Sequence, residues 1–125
     1  MKKFLTAFLA AILALISLTG CFGFSNSSTS SKYEFVGEFD MEIDYNSYLG
    51  YGVEIKGKLK NISSREFTYV SVTFAIFDEN GNQLETALDT MNHLQAGETW
   101  QFNATMLGFT DSYPESYKLV EVNAY

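Results

Sequence analysis

Few side chains in this sequence have the type and spacing to do chemistry. The chain holds one histidine and one cysteine among 125 residues. His93 has no cysteine or acidic cluster at metal-ligand spacing near it, which reads as a surface residue at a strand end rather than a ligand or base. Asp78-Glu79-Asn80-Gly81-Asn82 has part of the order of an EF-hand calcium loop but lacks its later acidic positions and closing Glu, so it reads as a turn. Fifteen Asp and Glu are present, yet no pattern sets two of them in one pocket as glycoside hydrolysis requires. The chain has no G-x-S-x-G and no glycine-rich phosphate loop. The expectation is therefore a protein with no catalytic residue, no metal site and no cofactor. Recognition is better provided for. Tyr45, Tyr48 and Tyr51 surround a glycine-bearing loop at residues 46–52, and exposed tyrosines at a loop tip suit contact with a protein or a sugar. The alternative is that Tyr45 caps the core and the other two pack locally.

The cysteine belongs to a different kind of chemistry. Lys2 and Lys3 open the chain, residues 4–18 are almost wholly apolar, and Leu18-Thr19-Gly20 precedes Cys21. That run is nearer a signal-peptide core than a membrane span, and an ordinary secretory site needs no cysteine. The segment resembles the lipobox of bacterial lipoproteins, which implies that Cys21 is diacylated and becomes the first residue of the mature chain. The alternative is an uncleaved signal anchor with an incidental thiol. Two acyl chains anchor stably where one gives marginal binding, so the expected partner of Cys21 is the membrane. An acylated Cys21 also leaves no thiol for nucleophilic attack. Residues 25–31 (SNSSTSS) contain no apolar side chain and behave as a flexible tether spanning roughly 15 Å. The expected division is a signal peptide at 1–20, the lipidated cysteine and serine-rich tether at 21–31, and a folded body at 32–125.

Charge narrows the partners. From Cys21 onward six Lys and Arg face fifteen Asp and Glu, a side-chain charge of −9. Nucleic-acid binding rests on basic patches, so this balance argues against it. One cysteine excludes an intramolecular disulfide and any CxxC redox or zinc site. Eleven Phe, eight Tyr and one Trp supply enough apolar mass for a packed core. Asn26, Asn61 and Asn103 begin N-x-[ST] sequons, which a bacterial lipoprotein would not normally use.

The elements that must position these residues read as strands. Val70, Val72, Phe74 and Ile76 alternate through 69–77, the pattern of a strand with one face in a core, and the DENG turn closes it with Gly81. Residues 34–45 alternate as one strand, with Phe35, Phe39, Met41, Ile43 and Tyr45 on one face and Glu34, Glu38, Asp40, Glu42 and Asp44 on the other. Val53, Ile55 and Leu59 then alternate with Lys56, Lys58 and Lys60, so a hairpin would set an acidic stripe against a lysine stripe. Residues 83–93 are poor in apolar side chains and read as an edge strand. Trp100, Phe102, Ala104 and Met106 face inward on the next, and Val120, Val122 and Ala124 share a face on the last. Six short strands with glycine turns and no amphipathic helix predict an all-β antiparallel sandwich, with a small β-barrel as the alternative.

Residues 53–106 resemble the FxLYD domain of small secreted or lipid-anchored bacterial and archaeal proteins. The likeness rests on G-x-L-x-N at Gly57 to Asn61, on Phe74-Ala75-Ile76-Phe77-Asp78, on Gly81, on Leu94-x-x-Gly97 and on Trp100-x-Phe102. Ile76 and Phe77 stand where that motif has Leu and Tyr. The resemblance covers about half the chain and implies an immunoglobulin-like sandwich without catalytic residues. It also implies the outer face of a cell membrane, in a Gram-positive cell. Together these readings give a lipid-anchored binding or adaptor module whose partner is an envelope protein or a cell-wall glycan. The rivals are a small-ligand receptor or transporter subunit, for which a 94-residue sandwich offers little enclosed volume, and an envelope hydrolase.

Overall fold

The computed structural model describes residues 32–125; the leader, Cys21 and the tether lie outside the described residues. Among the described residues seven antiparallel strands form rather than six: β1 (Tyr33–Phe35), β2 (Asp40–Asn46), β3 (Gly50–Asn61), β4 (Phe67–Phe77), β5 (Gln83–Leu94), β6 (Thr99–Met106) and β7 (Ser116–Ala124). The hydrogen-bonded order is β1-β3-β6-β5-β4-β7, with β2 also on β3. The sheet curls so that β1, β2, β3 and β6 face β4, β5 and β7 across one core, and this is the expected all-β antiparallel sandwich. The curl turns between β5 and β6, which share only the pairs Ala87↔Met106 and Leu88↔Thr105. Just beyond the last pair, Asp89 Oδ2 accepts the backbone N–H of Asn103 at 2.8 Å, so a side chain replaces the ladder where the two layers part. The low apolar content of β5 therefore does not mark a simple edge. That strand is paired with β4 along nearly its whole length and with β6 over two residues.

The first predicted strand is interrupted. Phe35 pairs with Leu59 and Asp40 with Lys56, so residues 36–39 lie opposite only Gly57 and Lys58, with Gly37 at φ 79°. An excess of two residues preserves the alternation, which is why the pattern looked continuous. The excess lets Phe39 fold into the core. Its ring meets Phe35, Phe74 and Phe102 at centroid distances of 5.1, 5.4 and 5.9 Å, mostly edge to face. Gly57 makes the space: a Cβ there would stand 2.5 Å from Phe102 Cζ and 2.8 Å from Phe39 Cδ1. Phe74 of one layer and Phe102 of the other are both fully buried, each such ring contributing about 1.5–3 kcal/mol.

The stripes of opposite charge meet in part. Glu34 opposes Lys60 and Asp40 opposes Lys56, and Lys56 reaches Glu42 at 3.4 Å, whereas Glu42 and Glu54 oppose each other as like charges. The last strand departs from its predicted face. Thr73 pairs with Glu121 but Phe74 with Leu119, so Val120 is the extra residue of a bulge and is 51% exposed. Tyr117 and Leu119 face inward before it, Val122 and Ala124 after it. At one end Asn61, fully buried, closes the sandwich. Its Nδ2 donates to Leu94 O and Arg65 O, both at 2.9 Å, and its Oδ1 accepts from Ser63 N and Ser63 Oγ.

Candidate functional site

The tyrosines lie at the other end. Strand pairing runs to Asn46↔Gly50, leaving only residues 47–49 at the tip instead of a loop over 46–52. Asn46 Oδ1 accepts the N–H groups of Tyr48 and Leu49 at 2.7 and 2.9 Å and holds that tip in one shape. Tyr45 and Tyr51 are register partners with rings 4.8 Å apart and inclined by 52°. They stand on the face that buries Ile43 and Val53 but beyond the end of the core, so the inward alternation continues into open solvent. Tyr45 is 62% exposed and Tyr48 94%, so Tyr45 does not cap the core.

A second segment, unnoticed in the sequence, completes the site. Tyr51 and Thr110 exchange backbone hydrogen bonds of 2.8 and 3.0 Å, which lays the β6–β7 loop across the start of β3. Gly50, at φ 103°, and Gly52 admit that loop: a Cβ on the first would strike Thr110 O, and one on the second would come within 3.2 Å of Phe109. Tyr113 then meets Tyr51 edge to face at 5.4 Å. Burial raises the Tyr113 phenol above its ordinary value, and the nearby Glu115 carboxylate and Tyr51 add to the rise. Pro114, buried, and the bond from Glu115 N to Phe77 O at 2.8 Å fix the loop to the opposite layer. Two glycines flanking Tyr51 were the available signal that another segment comes close there.

Beside Tyr113 runs a groove of about 370 Å³ lined by Asp78, Glu79, Asn80, Ser112, Tyr113 and Glu115. Asp78 is engaged in its own turn. Its Oδ1 accepts Asn80 N and Asn82 N at 2.9 Å, and these bonds, that from Asn82 first, hold its carboxyl below the usual range. His93 is at the far end, exposed, with φ 62° and Nδ1 2.6 Å from Glu66 Oε2. Among the described residues no three His, Cys, Asp or Glu side chains converge as a metal site would need. No helix among the described residues is long and apolar enough to cross a membrane. The tyrosine end thus presents exposed aromatic side chains beside a groove lined by carboxylates.

No family model and no curated protein matches the chain. Among solved structures, a β-glucuronidase from Bacteroides uniformis is similar over 64% of this chain with a TM-score of 0.51 at 20% identity. The match covers 10% of that enzyme, so this chain spans about a tenth of its length. The likeness bears on the fold alone and agrees with a β-sandwich.

Proposed function

We propose that the protein is a non-enzymatic binding module, lipid-anchored through Cys21 on the outer face of a cell membrane, that meets its partner with the tyrosine end. The observation that carries this reading is the placement of two features on one strand. Asn61, at the end of β3, pairs with Tyr33, and Lys32 O accepts Ile62 N–H, so the tether departs there. Gly50 and Tyr51 open the same strand, roughly 36 Å away for eleven residue steps. A chain held at Cys21 would thus present Tyr45, Tyr48 and Tyr51 away from the bilayer. The FxLYD resemblance and the lipobox support the address, and the exposed rings of Tyr45 and Tyr48, with Tyr51 half-buried between Tyr45 and Tyr113, support the role.

The test is crosslinking of the anchored protein in intact cells, followed by mass spectrometry. The expected result is one dominant envelope protein, lost in Tyr48→Ala/Tyr51→Ala, and release of the protein from washed membranes in Cys21→Ser. A Cys21→Ser chain that stays in the membrane would overturn the anchor. Capture of glycan alone would move the reading to a wall-binding role.

A further inference from the structure

The tyrosine end combines two properties that together select a partner. Among the described residues, five of the nine large apolar side chains left exposed belong to this end: Tyr45, Tyr48 and Leu49 on the β2–β3 hairpin, Leu107 and Phe109 on the β6–β7 loop. Tyr45 shares one face of the hairpin with Tyr51 while Phe109 lies over Gly52 on the other, so exposed apolar side chains flank this end on both sides, as an interaction surface would. Residues 44–54, 78–86 and 107–118, which build this end, contain seven carboxylates and a single cation, Lys118, which stands level with Thr86 across Ala75. Four of the six cations of residues 32–125 lie instead at Lys32, Lys58, Lys60 and Arg65, toward the tether. The module is electrically polar along β3.

Charge excludes several occupants of this patch. A second copy would bring acidic end to acidic end, and an anionic polymer would meet the same repulsion. A saccharide face stacks best on an open, level platform, but the three rings are inclined at 52° and 85° to their neighbours. A cation bearing an apolar stem fits both halves of the surface, its stem on the rings and its head toward Glu79 and Glu115. Resting on the module reading above, we propose that the tyrosine end docks a protein segment bearing Lys or Arg beside apolar residues, with the groove between Asp78–Asn80 and Tyr113–Glu115 receiving the cationic head. The rings supply apolar contact and cation–π attraction, and the carboxylates supply steering.

The probe is a fluorescent peptide of alternating Lys and Leu, titrated against the full-length lipidated protein in phosphatidylcholine vesicles, with protein-free vesicles as the blank for partitioning of its leucines. A Glu-Leu peptide of equal length and a chito-oligosaccharide serve as comparisons. Saturable binding of the Lys-Leu peptide alone is expected, weakening as salt rises. Glu79→Gln/Glu115→Gln should weaken it by roughly fivefold. Glu34→Gln/Glu38→Gln, the same charge change on β1 and the bulge after it, should leave it as it was. Equal loss in both double variants would reduce the effect to net charge and overturn the proposal, as would binding of the Glu-Leu peptide or the saccharide in its place. A partner captured in cells through Tyr48 and Tyr51 but indifferent to Glu79→Gln/Glu115→Gln would refute the cationic segment while leaving the module standing.

Discussion

Asn61 Nδ2 donates a hydrogen bond of 2.9 Å to the carbonyl of Leu94, thirty-three residues away, from a side chain with no solvent exposure. The same nitrogen serves Arg65 O, while Asn61 O receives Gly97 N–H and Asn61 N–H goes to Glu98 O. One residue thus ties the β3–β4 crossing to the β5–β6 turn and satisfies every polar group it buries. Replacement by Ala should lower stability by about 1–3 kcal/mol, because the Leu94 carbonyl loses this donor at a buried position, whereas Arg65 O keeps Ser63 Oγ and solvent. Asn61→Asp should be nearly as harmful, since a carboxylate cannot donate to either carbonyl. Urea unfolding followed by tryptophan fluorescence checks both, and a change below half a kcal/mol would contradict the assignment.

Gly57 is required for space. Ala there would press its methyl against Phe102 and Phe39, and overpacking of this kind costs about 1–3 kcal/mol. Trimming Phe39 to Leu should recover part of that loss, so a double-mutant cycle should report a favourable coupling between positions 39 and 57. Simple additivity of the two changes would mean that the rings do not set the fit.

Tyr117 is 4% exposed, and its hydroxyl has no hydrogen-bond partner among the described residues. Burial, with the charges of Asp40 and Glu38 added, pushes its pKa from 10.0 up to about 12. A raised folded value means that its contribution is whole below pH 10 and is lost as the pH climbs from 10 toward 12. Tyr117→Phe should match or slightly exceed the native stability at pH 7, having no hydroxyl to desolvate. It should also flatten the alkaline fall in melting temperature, and an unchanged alkaline limb would contradict the burial argument.

Asp78 gives the opposite sign. Hydrogen bonds from Asn82, Asn80 and Gly81 depress its folded carboxyl below 3.8, so its contribution is present above that value and is lost as acid protonates it. Asp78→Asn should therefore lose less stability than the native protein on acidification below pH 3.8. Thermal melts from pH 5 downward measure the difference, and parallel curves would refute it.

Much of this was legible in the chain. The alternation of Trp100, Phe102, Ala104 and Met106 is the burial pattern of β6, and Val70, Val72, Phe74 and Ile76 are all buried on β4. What escaped reading were insertions and distant neighbours. The excess at 36–39 adds an even number of residues and leaves no trace in a period of two, whereas the single extra residue Val120 reverses the face. The tyrosine hairpin was visible from residues 45–51, but its union with Tyr113 depends on the β6–β7 loop crossing β3, which local patterns do not encode.

The central claim is that the tyrosine end faces outward and binds. A photoreactive phenylalanine analogue placed at Tyr48, and separately at Ile62 beside the tether, tests it most directly in intact cells. Irradiation should join position 48 to one envelope protein and give no such product from position 62. Crosslinks to protein from position 62 alone, or to lipid from position 48, would mean that the module stands the other way and that its tyrosines are not the binding surface.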